Sequence, residues 1–534
     1  MKKIIYISAI LALTIASCAK RGQPSGGVKD TEAPKLLKAS PVNYSTHFSG
    51  TEIRFNFNEY VKLKDIHKQL IISPPLKFKP TITPQTGASK FIKIKILDTL
   101  QPNTTYSFNF GNSIVDNNEE NPFPYFKYIF STGNQIDSLQ LSGSVKDALY
   151  QKTDEFVSVL LYEVDSTYTD SIIYKKQPRY ITNTLDSATT FQFENLKAGK
   201  YVLIALKKEG SNYKFNQKTD KIGFVKEEIT LPTNKKYELK LFNETITYRA
   251  LKPKHERKTR IKFRYEGAYS EAIHIKLTTQ NLPKNFQTII TKNIENDTLN
   301  YWFKPAVELD SLNFVVTHKK VVDSFRVKMR KKVKADSLFF KKSKQTMSFD
   351  TNFGIVPNTP IVKIDDSKIK IINKDSVPVK FTTTIDKLTQ LIAFHFEKKE
   401  KEKYQIKIFP NAFIDFYNNT NDTLTYNASL QSFSKFGNMR VTISNLPKHA
   451  IIVQLITNKG DVKYEQFAKG ETVFDFNNIT PSIYNLRVIY DVNANQKYDT
   501  GNYLQKTQPE RVSYYPDPIE IRANWDIDQQ FKLQ

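Results

Sequence analysis

Cysteine is almost missing from this chain: Cys18 is the single one in 534 residues. One thiol excludes an internal disulfide, a CxxC redox pair and a multi-cysteine zinc site. Histidine is sparse too. His47, His67, His255, His274, His318, His395 and His449 are scattered, with no His-x-His or His-x-x-x-His pair. That spacing offers no zinc or catalytic constellation. Gly-x-Ser-x-Gly is absent, as is a phosphate-binding P-loop, so no nucleophile or nucleotide motif remains. Beyond the first twenty residues no long stretch repeats apolar residues at i, i+3, i+4 and i+7, which argues against long amphipathic helices. These absences together predict a protein that is not an enzyme.

Aromatics are what the chain has in quantity. Phe (37) and Tyr (28) far outnumber Met (4) and Trp (2). With many Thr, Ile and Val, that bias favours strands. The length calls for several domains. The expected fold class is therefore all-β, with tandem sandwiches.

The first residues, MKKIIYISAILALTIASC, form a separate element. Lys2 and Lys3 precede an apolar run from Ile4 to Ala16, too short for a membrane span and typical of a secretory signal. Its end, Ile15-Ala16-Ser17-Cys18, resembles the bacterial lipobox. The resemblance implies a signal peptide over residues 1–17, cleavage before Cys18, and acylation (palmitate and related chains) of that residue. Several acyl chains at ~0.8 kcal/mol per buried methylene make a stable anchor. Residues 18–30 are rich in Gly, Pro and Ser and read as a flexible tether. Bacteroidetes surface lipoproteins often carry acidic residues after the cysteine; Lys20 and Arg21 stand here instead. That favours an outer-membrane protein facing the periplasm, with the cell surface as the alternative.

The formal net charge is +25. An exported lipoprotein seldom meets nucleic acid, so lipid phosphates, acidic glycans or acidic proteins are the expected partners. The densest basic run, Arg326 to Lys344, reads as a solvated strand and linker or as a binding patch.

Two modules occur twice. The first spans residues 31–135. Ile53, Phe55 and Phe57 alternate with Arg54, Asn56 and Asn58, a half-buried strand; Tyr106, Phe108 and Phe110 form another. Pro34, the Ser40-Pro41-x-Asn43 turn, Phe57-x-Glu59-x-Val61, Asp116 and Phe130-Ser131-Thr132-Gly133 complete the pattern. Together they resemble the S-layer-type (SbsA-like) bacterial Ig-like family. A degenerate copy is expected at 336–434, where Tyr404 to Tyr426 parallels the stretch from Tyr106. The second module spans 136–245 and resembles carboxypeptidase-regulatory-like or transthyretin-like (prealbumin-like) sandwiches. Its partner fills 435–534: Phe474, Phe476, Asn478, Ile479 and Tyr484 align without a gap on Phe191, Phe193, Asn195, Leu196 and Tyr201. This is strand, tight turn, strand, with both Phe on the core face. Residues 246–335 read as a further sandwich of no assigned family.

Three sets of residues invite chemistry. Glu59, read as a strand end, and Asp116 after another strand admit an acid/base reading, against which stand their turn positions in the Ig-like family. Asp-Ser/Thr-apolar triplets place Thr99, Ser138, Ser171, Ser187, Thr298, Ser311, Ser337, Ser376 and Thr423 in a pattern that resembles the O-glycosylation sequence of Bacteroidetes exported proteins; ordinary turn chemistry gives the same pattern. Finally, in DVNANQKYDTG, Asp491, Asn493, Asn495 and Asp499 fall where a calcium loop places ligands. The sixth position is Gln496 rather than Gly, and the twelfth is Asn502 rather than Glu. The aligned earlier module has Lys208 opposite Asp491 and Asn216 opposite Asp499. Calcium is thus a weak candidate, and no other cofactor is expected.

The expected function is a non-enzymatic, lipid-anchored envelope scaffold. It would bind other envelope proteins, as an accessory subunit of an outer-membrane β-barrel assembly or protein-export machine. The alternative is a surface adhesion or glycan-binding lipoprotein, for which exposed aromatics such as Trp302 or Trp525 would serve.

Overall fold

The computed structural model describes residues 29–534 apart from 185–188, 209, 211, 268–272, 294, 297 and 345–346. Among these the chain is nearly all β, arranged as successive sandwiches. The helices are minor, the α-helical one being Ile66–Gln69.

In the first sandwich the strand Glu52–Leu63 lies between Leu36–Ser40 and Ser89–Lys95, and Thr81–Thr83 extends that sheet. Ile71–Ser73, Thr105–Asn109 and Lys127–Ser131 form the facing sheet. Side chains alternate along a strand, so Ile53, Phe55 and Phe57 enter one core with Phe108, Phe110, Tyr128 and Phe130. Phe55 meets Phe110 edge-on at 5.7 Å. Glu59 corrects one expectation: it lies inside Glu52–Leu63, not at its end. There the register with Ser89–Lys95 slips between Asn56 and Val61, and past the slip the strand pairs with Ile114–Asp116.

The fourth sandwich repeats this topology. Phe353–Pro357 and Ile361–Ile364 stand where the first has one long strand; the latter pairs with Phe413–Asp415 as Val61–Leu63 pairs with Ile114–Asp116.

The second and fifth sandwiches also share one topology. In the second, Leu139–Asp147 runs antiparallel to Thr190–Leu196 and parallel to Tyr237–Leu241. In the fifth, Gly437–Ser444 does the same with Val473–Ile479 and Asp526–Lys532. The aligned Asn195 and Asn478 both hold left-handed backbone, at φ 58 and 56, a region asparagine tolerates. Each turn is then fixed by one bond: the Tyr201 hydroxyl donates to the Lys197 carbonyl at 3.0 Å, and that of Tyr484 to Thr480 at 2.8 Å.

The second sandwich also packs its outer face against other modules. Its strands Ser158–Glu163 and Gly199–Lys207 are buried on both faces. Leu161, Leu203 and Ala205 point into the module's own core. Leu160, Tyr162, Val202 and Ile204 point the other way, into a second cluster that includes Ile71 of the first sandwich and Tyr503 of the fifth.

Candidate functional site

The second cluster marks a junction at which the chain folds back on itself. Residues 500–508 leave the fifth sandwich and cross the outer face of the second. Thr500 donates to the Asn243 carbonyl at 2.6 Å, and Gln508 donates to that of Phe224 at 2.8 Å. Between them Tyr503 is fully buried, 0% exposed. Its ring meets Phe224 edge-on at 5.3 Å, its hydroxyl lies 3.2 Å from that of Tyr168, and its N–H donates to the Glu244 carboxylate. Burial pushes the Glu244 carboxyl up, while the Tyr503 and Gln217 donors pull it down less strongly. Lys506 covers the Tyr503 ring at 4.0 Å and pairs with Asp170 at 2.6 Å. Gly501 is required by contact: a Cβ there would come within 2.5 Å of the Phe242 ring.

A second strip of the junction is polar. Arg487 is buried on the outer face of the strand Ser482–Asp491. Its Nε donates to Gln454 at 2.7 Å, and its guanidinium reaches the Leu149 carbonyl of the second sandwich at 3.3 Å. Tyr514 donates to that same carbonyl at 2.7 Å. An arginine buried this way needs acceptors on every side, and they come from two modules.

The loop Asp491–Gly501 is the segment that delivers residues 500–508 to this junction. Asp491 is buried and accepts the N–H groups of Asn495 (3.0 Å) and Gln496 (2.8 Å). Asn493 and Asn495 both direct their amide nitrogens at Asp499, at 2.6 and 2.9 Å. Glu510, which the sequence did not single out, accepts the N–H groups of Val492 and Asp499, both at 2.9 Å. Burial pushes its carboxyl up, as do Asp499 and Asp491, against the pull of those two donors. The four calcium candidates do come together, but their groups are engaged with one another and with backbone. Among the described residues no set of three or more His, Cys, Asp or Glu is arranged to hold a metal. As folded, the loop does not fit a calcium cage.

The aligned loop of the second sandwich explains the lysine. Lys208, opposite Asp491, is buried with its ammonium inside the loop. It donates to Asn212 Oδ1 and to the Lys214 carbonyl (2.7 Å), and it lies 3.4 Å from Asp220. Asn212 and Lys214 align on Asn495 and Lys497. One loop is tied by an internal cation, the other by a carboxylate that accepts backbone N–H groups.

The remaining candidates are dispersed. Asp116 is 2% exposed and accepts four backbone N–H groups, from Asn118, Glu119, Glu120 and Asn121. Burial raises its carboxyl, but those four donors together hold it below the usual aspartate value. It shapes a turn, as does Asp415, which accepts from Tyr417 and Asn419 and from the Thr359 hydroxyl. His274 is exposed on its strand. His255 is buried; its Nδ1 accepts the Arg330 N–H at 2.9 Å, and Nε2 lies 3.3 Å from the Lys258 carbonyl. That contact puts the start of the basic run, Arg326 to Lys344, into a seam of the third sandwich, where Asp336 also pairs with Arg260 at 3.1 Å. Trp302 is core, donating to Thr291 at 2.8 Å, while Trp525 is half-exposed beneath Arg522.

Of the glycosylation candidates, Thr99, Ser138, Ser337, Ser376 and Thr423 are exposed, and Ser171 and Ser311 are partly covered. Thr298 is corrected: it is 5% exposed and paired with Arg264 inside a sheet, with no room for a glycan. Ser187 and Cys18 lie outside the described residues.

Residues 30–132 match the family described as "Bacterial Ig-like domain". No curated protein matches the chain. Among solved structures, domains 1-6 of the surface layer protein SbsC are similar over 92% of this chain and 67% of their own, at 11% identity and TM-score 0.15. The BSP domain of a biofilm associated protein is similar over 95% and 99%, at 10% identity and TM-score 0.16. Immunoglobulin domains 1-4 of Sidekick-1 follow at 73% and 94%, 7% identity and TM-score 0.18. At such scores these likenesses carry no argument. The family match does: the first sandwich is similar to bacterial Ig-like domains, as its strand pattern and turns led one to expect.

Proposed function

We propose that this protein is a non-enzymatic scaffold of the bacterial cell envelope, held to the outer membrane by acyl chains on Cys18. Its partners are envelope proteins, and its role is that of an accessory subunit of a β-barrel assembly or protein-export machine. The observation that carries the reading is the junction around Tyr503 and Arg487. It makes tandem sandwiches into a braced body rather than beads on a string, which suits a protein that holds surfaces in fixed relation. Loops and sheet edges are the usual binding elements of such arrays. The basic charge suits acidic partners.

Affinity purification of the tagged chain from solubilised outer membranes tests the role. Recovery with a constant set of membrane proteins is expected; recovery alone overturns it. Labelling with a palmitate analogue tests the anchor: Cys18→Ser is expected to lose the label and to leave the membrane fraction. Protease treatment of intact cells tests the periplasmic placement, which rapid loss of the protein would contradict.

A further inference from the structure

Positive charge gathers on the third sandwich. Residues 246–335 carry 20 Lys and Arg against 8 Asp and Glu, a net +12 of the chain's +25. The two sheets of this sandwich present unlike outer faces. On one, Thr298, Asn300 and Trp302 point away from the core and are nevertheless buried. Arg260 lies over the Trp302 ring at 4.8 Å, and Asp336, from within the basic run, pairs with Arg260 at 3.1 Å. The chain thus closes that face with its own segment. The other sheet is Ile273–Leu277, Ser311–His318 and Val321–Lys328. Alternation and register place Lys276, Arg326 and Lys328 on its outer face, with His274, Asn313 and Ser324 beside them, and all six are exposed.

Three features of this open face select its partner. First, its charge has one sign. Asp323 is the single acid in the three strands, and it stands opposite Val316, on the core side. Arg326 is steadied by a neutral group, donating from Nε to the Ser311 hydroxyl at 2.9 Å. Second, the cations are spread out. Arg326 and Lys328 lie two residues apart on one strand, about 7 Å, and Lys276 lies two strands away, about 10 Å. Such a triangle addresses separate anionic groups rather than converging on one small anion. Third, the face has no aromatic platform. Phe314 and Phe325, the phenylalanines of these strands, pack inward. Binders of single-stranded nucleic acid stack bases on exposed rings.

We infer that the outer face of this sheet lies against the phosphate headgroups of an anionic lipid surface, with Lys276, Arg326 and Lys328 each on a phosphate. A flat sheet face meets a flat headgroup layer without a cleft. The Arg326 guanidinium offers a fork of donors to phosphate oxygens, and the two ammonium groups act as point charges. The charge of the whole sandwich steers it toward such a surface, and salt screens the attraction. Lys319 and Lys320, exposed at the tip of the hairpin that joins the last two strands, extend the basic edge. This goes beyond the scaffold role and needs neither the acyl anchor nor the protein partners.

Vesicle co-sedimentation of the full chain tests it, with Cys18→Ser so that no acyl chain contributes. The vesicles are phosphatidylcholine alone or phosphatidylcholine with phosphatidylglycerol. Binding is expected to the anionic vesicles over the neutral ones and to fall away in high salt. Replacing Lys276, Arg326 and Lys328 together by Gln is expected to weaken it about a hundredfold, as three basic groups near an anionic leaflet imply. Replacing Lys226, Lys235 and Lys236, exposed lysines of the second sandwich, removes the same charge elsewhere and is expected to change it far less. If the first triple variant fails to fold, Lys276→Gln with Lys328→Gln keeps the Arg326 bond to Ser311 and is expected to cost about thirtyfold. Equal binding to both kinds of vesicle overturns the inference. So does an equal loss in the two triple variants, which would show net charge alone at work. Tighter binding to hyaluronate than to the anionic vesicles overturns it in favour of an acidic glycan.

Discussion

Asp116 and Asp415 act alike in two sandwiches. Each ends a three-residue strand and gathers the N–H groups of the turn that follows. Asp116→Ala leaves those donors without their acceptor, and a loss of about 1–3 kcal/mol is expected in urea unfolding. Because donors hold its carboxyl below the unfolded value, its contribution is present above that value. It is lost as pH falls through the folded one. His255 titrates in a different window. Burial first, and then the Arg330 charge, hold the imidazole below its usual value, against the raising contact with Lys258. Protonation would set a new donor against the Arg330 N–H. Stability is therefore complete above the unfolded value of about 6.5 and declines as pH falls through it. Melting temperature is expected to drop from pH about 7.5 to about 5.5, with a shallower slope in His255→Gln. The loop at Asp491 makes a third case. Its amides already satisfy Asp499, so excess calcium after chelator treatment is expected to leave the melting curve in place. A rise would show that a metal displaces those amides.

At the scale of elements, the docking segment Thr500–Gln508 is where a single change reaches farthest. Tyr503→Ala removes a ring from a closed cluster, and losses for such truncations run to about 3–5 kcal/mol. The fifth sandwich is expected to separate from the second, seen as a larger radius of gyration in solution scattering and as a split calorimetric transition. An unchanged radius would contradict the brace. Legibility in the sequence divides along the same line. The strands announced themselves because one face is core and the other solvent, so Phe191 and Phe193 alternate with polar neighbours. The paired modules were readable because the turn at Asn195 and Asn478 needs the same residues twice. The junction was not readable. Ser158–Glu163 is a nearly unbroken apolar run, which says that both faces are covered but not by what. Its partner, Tyr503, sits in a polar stretch with no periodicity. Lys208 was legible only as a residue that cannot ligate calcium; that its own ammonium fills the loop depends on three oxygens brought together by folding.

Over the whole molecule the sandwiches are joined in sequence and also out of sequence. Neighbours meet through contacts such as Lys218 with Glu266 at 2.7 Å, the Tyr417 hydroxyl on the Thr259 carbonyl at 3.0 Å, and Phe349 edge-on to Phe436 at 6.3 Å. The contact of the second sandwich with the fifth closes these into a loop of modules. That closure has a mechanical meaning. A pull between the first sandwich and the last residues of the fifth would travel through the first and second sandwiches, cross at Tyr503, and leave by the fifth. The third and fourth would hang outside the load path, slack until the brace gives way. Stretched as a single molecule, the chain is expected to release them in one early step, and Tyr503→Ala to remove that step. With the anchor proposed at Cys18, the protein would carry a reserve of length behind one aromatic latch.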